Sequence, residues 1–169
     1  MKAAGAILGV AVALAIQTTL ARFLVRGSVA VDLVLVAVVY VSLTSGPVTG
    51  MLTGTFAGLI QDALSGGVIG IGGLAKTIVG FLAGIIGTQF IVAQPLPRFV
   101  VFFSATIVHA AIFMGLYVLL ELRPFGAPYA AVLGQAVGNA VVGVVAFQLV
   151  ELLPGAMERR RAGSSRLRR

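Results

Sequence analysis

The sequence predicts an all-α membrane protein, polytopic, with six transmembrane helices. Three observations predict it. Of 169 residues, 59% are apolar and only 10% charged, and the mean hydropathy is +1.10; soluble domains are about a quarter charged. The apolar residues gather in six runs of spanning or near-spanning length. Those runs are apolar on all sides, whereas a membrane barrel alternates apolar and polar residues in strands of about ten. A soluble enzyme, a disordered chain and a disulfide scaffold are all disfavoured. With no Cys there is no disulfide, thiolate nucleophile or Cys-ligated metal.

A helix crosses the hydrocarbon in about 20 residues. The first run, at about 3–21, follows Lys2 and leads through Gln17, Thr18 and Thr19 toward another span, so it reads as an anchor rather than a cleaved signal. The second, at about 29–45, opens near Asp32, whose carboxylate suits a helix N-terminus. Ser45-Gly46-Pro47 separates it from the third, at about 48–64. These two are short, at about 17 residues each, against the usual length. Ser65-Gly66-Gly67 precedes the fourth, at about 68–92. Gln94-Pro95-Leu96-Pro97 precedes the fifth, at about 98–121, and Arg123-Pro124-Phe125-Gly126 the sixth, at about 128–153. Gly and Pro interrupt helices, and here they fall where hydrophobicity dips.

The net charge is +7, but it is unevenly placed. Residues 158–169 hold six Arg and one Glu. A short basic tail on an apolar body is a juxtamembrane segment rather than a nucleic-acid face. The expected organisation is therefore a transmembrane domain over 1–157 and a basic cytoplasmic tail over 158–169. The excess of Lys and Arg puts both termini on the cytoplasmic side. Arg159, Arg160 and Arg161 are expected against lipid headgroups.

Small residues recur every four positions, hence on one helix face. Gly5, Gly9 and Ala13 form such a row in the first span, Gly50, Gly54 and Gly58 in the third, and Gly80 and Gly84 in the fourth. Such rows allow close helix packing in lipid, within the chain or against a partner. The first span is the best candidate for a partner face. Asp62 and Lys76 continue the rows of the third and fourth spans. An intramembrane charge costs at least about 2.5–3.5 kcal/mol and is usually paired or faces a cavity. The two are expected to neutralise one another or share a polar pocket, with contact to a partner or ligand as the alternative. Asp32 is expected at the outer surface with Arg22 and Arg26. His109 lies mid-span and is read as a neutral interhelical hydrogen bonder, as are Gln17, Gln135 and Asn139. No Walker loop, HExxH or GxSxG motif occurs. Neither an enzyme nor a cofactor or metal site is expected.

Residues 32–84 carry a pattern: Asp32-Leu33 opening a Leu/Val-rich span, Gly46-Pro47, the Gly50–Gly58 row, Asp62 to Gly66, and Phe81-Leu82-Ala83-Gly84. This resembles the MreD family of the bacterial rod-shape system, although Val31 and Gly67 stand where the family often has Pro. The resemblance implies a non-enzymatic scaffold in the bacterial cytoplasmic (inner) membrane. It implies work with an MreC-like single-span protein in the elongation machinery (the elongasome), alongside a RodA-type glycosyltransferase, a class B penicillin-binding transpeptidase and MreB. The family fold is also similar to the six-helix substrate-binding subunits of energy-coupling-factor transporters. That leaves a vitamin-binding subunit as the alternative function. A vitamin site needs convergent polar and aromatic groups in an outer cavity, and the short outer loops and lack of Trp favour the scaffold.

Overall fold

The computed structural model describes the backbone of residues 2–23, 31–90, 92, 94–122 and 129–166. Side chains are described for 5, 7–19, 31–90, 92, 94–122 and 129–152. The described residues form six helices: α1 (Lys2–Phe23), α2 (Leu33–Ser45), α3 (Pro47–Ser65), α4 (Ile71–Gln89), α5 (Pro95–Leu119) and α6 (Tyr129–Arg166). Among the described residues, the breaks at Gly46, after Ser65 and before Pro95 fall where the sequence places them. Gly46 and Pro47 show why: Gly46 ends α2 at φ 88°, a conformation that disfavours side chains, and Pro47 starts α3 at its first position. α6 continues unbroken to Arg166, so the basic residues from 158 onward prolong the helix of the sixth span.

α4, α5 and α6 are each long and apolar enough to cross a membrane. α1 and α2 carry shorter apolar segments, Ile7–Thr19 and Leu33–Ser45. Among the described residues, large apolar side chains are exposed on every helix except α2. On α3, Val48, Leu52, Phe56, Ile60 and Leu64 form an exposed ridge at four-residue spacing. Leu133, Val137, Val141, Val145 and Leu149 do the same on α6. Soluble proteins do not expose patches of this extent, so this is the surface of a membrane protein.

The interior is organised around α2. It has only 13 residues, about 20 Å of helix, and it touches all five other helices. Val34, Leu35, Val38 and Val39 are almost wholly enclosed. Leu35, Val36 and Val39 share one core with Val79, Ala83, Phe102 and Phe147. Val34 and Val38 pack with Leu14 and Ala57.

α3 and α4 make the closest helix pair, running antiparallel. A methyl on Gly54 would strike the Lys76 carbonyl, one on Gly50 the Gly80 carbonyl, and one on Gly84 the backbone of Pro47. One on Gly58 would lie 2.6 Å from the Gly73 Cα. The rows Gly50–Gly58 and Gly80–Gly84 are thus consumed inside the chain. Gly5 and Gly9 differ: among the described residues nothing lies within 4 Å of a Cβ on either.

Candidate functional site

Helix direction alternates along the chain. The start of α2, the α3–α4 turn, the end of α5 and the start of α6 therefore meet at one end of the bundle. Asp32, Gln61, Asp62, Lys76, His109 and Gln135 of the spans converge there. Asp32 is the N-cap of α2: its Oδ1 accepts the Leu35 N–H at 3.0 Å. Its Oδ2 lies 3.0 Å from Lys76 Nζ, and both side chains are buried. Lys76 Nζ also lies 3.2 Å from His109 Nε2. An ammonium has only protons to give, so Nε2 accepts, and the imidazole is neutral with its proton on Nδ1. This bears out His109 as an interhelical hydrogen bonder.

Two further side chains hold the same helix start. Asn139 of α6 accepts the Asp32 N–H at 2.7 Å and donates to Thr106 Oγ1 of α5 at 3.0 Å. Gln17 of α1 donates to the Val31 carbonyl at 3.2 Å and accepts the Leu33 N–H at 3.0 Å. α2 begins inside the protein, where water cannot satisfy its free N–H groups; side chains from α1 and α6 do so instead. Asn139→Ala should cost about 1–3 kcal/mol by leaving the Asp32 N–H and the Thr106 hydroxyl short of a partner. Denaturant titration of the micelle-solubilised chain, followed by circular dichroism, measures it.

The expected Asp62–Lys76 pair is not formed. Lys76 pairs with Asp32 instead. Asp62 Oδ2 accepts the N–H groups of Gly70 at 2.9 Å and Gly73 at 3.1 Å. The reason is local: α4 starts at Gly70, which has no side chain to cap it, and Asp62 supplies the missing acceptor from the preceding helix. Asp62 and Lys76 do share a pocket of about 410 Å³, as the other half of that expectation held. Asp32 is likewise not at the surface with Arg22 and Arg26. It is buried on Lys76. Arg26 and the side chain of Arg22 lie outside the described residues, as do the side chains of Arg159, Arg160 and Arg161.

At the opposite end, Arg98 is buried although it opens α5. It forms a two-pronged pair with Glu151 of α6, with Nη1 3.0 Å from Oε2 and Nη2 on Oε1. Its Nε donates to the Val92 carbonyl at 3.1 Å, and its guanidinium lies 4.4 Å from the Phe147 ring centre. Arg98 and Glu151 are 53 residues apart, and nothing local joins them.

The second concavity is an apolar groove of about 700 Å³ between α1, α2 and α6, lined by Gly5, Gly9, Ala13, Val36, Tyr40 and Val142 among others. Among the described residues no group of three His, Asp or Glu could hold a metal ion.

Comparison with protein-family models matches residues 4–153 to MreD, the rod shape-determining protein MreD. The chain belongs to the MreD family. No curated protein matches it. No solved structure matches it either. The match takes in all six helices and reaches to the end of the apolar part of α6. MreD is a family of rod shape determination, and the resemblance read from residues 32–84 is confirmed at nearly full length.

Proposed function

We propose that the chain is a non-enzymatic scaffold of the bacterial cell-wall elongation machinery. All six helices cross the cytoplasmic membrane, with both termini inside and the basic end of α6 near anionic headgroups. It binds the single transmembrane helix of an MreC-like protein and so helps organise peptidoglycan synthesis with RodA-type, transpeptidase and MreB components. The observation that carries the docking reading is the Gly5–Gly9 face. The α3 and α4 glycine rows are filled by neighbouring backbone, whereas this row lies open on a groove. Small residues there allow a second helix to approach closely.

Tagged chain purified from native membranes in mild detergent should bring down a single-span MreC-like protein. Gly5→Leu with Gly9→Leu should leave stability within about 0.5 kcal/mol of the parent, since the side chains enter open space, and reduce that recovery at least tenfold. Undiminished recovery would place the partner elsewhere.

One observation favours the second reading, a small-molecule-binding subunit similar to those of energy-coupling-factor transporters. The polar pocket brings Asp32, Gln61, Lys76, His109 and Gln135 together with Phe113 and Tyr117. These are the convergent polar and aromatic groups that the outer loops lack. Recovery of paired ATPases and a large membrane coupling subunit would establish that reading.

A further inference from the structure

We propose that the polar pocket receives a cationic hydrogen-bond donor, an ammonium or guanidinium group. It comes either from a free amine or from a basic side chain of a partner polypeptide. The inference rests on neither functional reading, and its source distinguishes them.

Charge is the first ground. Among the described residues the pocket holds two carboxylates, Asp32 and Asp62, and one ammonium, Lys76. Lys76 is committed to Asp32 and to His109, and the hydrogen bond from Lys76 keeps His109 neutral. The cluster is therefore one negative charge in excess, within a chain of net charge +7. A carboxylate in a polar pit walled by apolar helices attracts a cation far more strongly than it would in open water.

Acceptors without donors are the second ground. Both backbone N–H groups that reach Asp62 bond to Oδ2, and among the described residues no backbone donor bonds to Oδ1. Gln61 Oε1 is buried without a hydrogen-bond partner. The amide is not reversed, because its Nε2 faces Asp32 Oδ1 at 3.5 Å, where an oxygen would be repelled. Gln61 is itself one of the residues that line the pocket. The third ground is the wall. Phe113 and Tyr117 line the pocket with ring centres 4.8 Å apart, and aromatic faces favour ammonium and guanidinium groups. A volume of about 410 Å³ admits such a group with a short stem.

The test uses the full chain in neutral-detergent micelles and two isosteric probes, n-propylguanidinium and n-propylurea, compared by saturation-transfer NMR. The guanidinium should bind saturably at low-millimolar concentration and the urea about tenfold more weakly. Asp62→Asn, which retains an oxygen to cap α4, should weaken guanidinium binding about tenfold and leave urea unchanged. Gln61→Glu should strengthen it. Circular dichroism confirms that both variants fold. Equal binding of the two probes, no binding of either, or indifference to Asp62→Asn overturns the proposal.

The source is found by photocrosslinking from benzoylphenylalanine at Met114, which lines the pocket, in native membranes. A crosslinked peptide whose Lys or Arg is required for capture identifies a partner side chain. Absence of a peptide, with the guanidinium preference intact, identifies a free amine. A captured peptide indifferent to its basic residues overturns the proposal. The co-purification experiment reads the Gly5–Gly9 face separately, so either idea can fail alone.

Discussion

Lys76→Met is expected to destabilise the protein by about 3–5 kcal/mol, the cost of leaving one partner of a buried ion pair without the other. Asp32 is only 6% exposed. Without Lys76 its charge would rest on the Leu35 N–H and the long contact with Gln61. The double variant Asp32→Asn, Lys76→Met should recover most of the loss. Asparagine caps a helix about as well as aspartate, and methionine fills much of the volume of the lysine stem without a charge. Unfolding of the purified chain by increasing SDS in mixed micelles, followed by circular dichroism, measures all three proteins. A Lys76→Met single variant as stable as the parent would show that the pair does not hold the bundle. The comparison also separates Asp32 from Asp62: Asp62→Asn with Lys76→Met should give no recovery, because Asp62 serves the α4 backbone.

Gly54→Leu is expected to cost at least about 3 kcal/mol and to part α3 from α4. Overpacking ordinarily costs about 1–3 kcal/mol where side chains can give way. Here the obstacle is the Lys76 carbonyl, which belongs to a helix backbone. The damage should not stay on the helix face. Moving that carbonyl moves the residue whose ammonium pairs with Asp32. Gly54→Leu and Lys76→Met should therefore be strongly non-additive, the second change adding little to the first. Gly5→Leu, measured alongside, should be nearly neutral, since among the described residues no atom lies within 4 Å of its Cβ position. Equal effects at Gly5 and Gly54 would refute the packing described for α3 and α4.

These contrasts show which features the sequence carries. Helix ends were legible because Gly46-Pro47, Ser65-Gly66 and Pro95 act locally, through backbone geometry. The small-residue rows were legible as packing faces from their period alone. What the period could not say was which rows are covered, since that depends on which helices become neighbours. The charges show the same limit. Asp62 is the acid nearest Lys76 in sequence and lies on the adjoining helix, so it was the natural partner. Asp32 won because α2 runs through the middle of the bundle and delivers its N-cap to α4. Asp62 was claimed by a demand invisible at the level of charge, the uncapped start of α4. Arg98 and Glu151 meet only because α5 and α6 are antiparallel, and neither flanking sequence announces it.

The central position of α2 also has a consequence for how the chain is made. Asp32 leaves the ribosome well before Lys76, and 107 residues separate it from Asn139, which takes up its N–H. At about 5–20 residues per second, that is roughly 5–20 s of synthesis. Until Lys76 is made the Asp32 carboxylate lacks its ammonium partner, and through the whole interval the Asp32 N–H lacks its acceptor. The growing chain must hold this end of α2 at the water boundary, or against the insertion machinery, until α4 and then α6 arrive. The part of the molecule that ends most enclosed is thus the part that waits longest to be completed, and a slow or stalled sixth helix would leave the protein unfinished at its centre rather than at its edge.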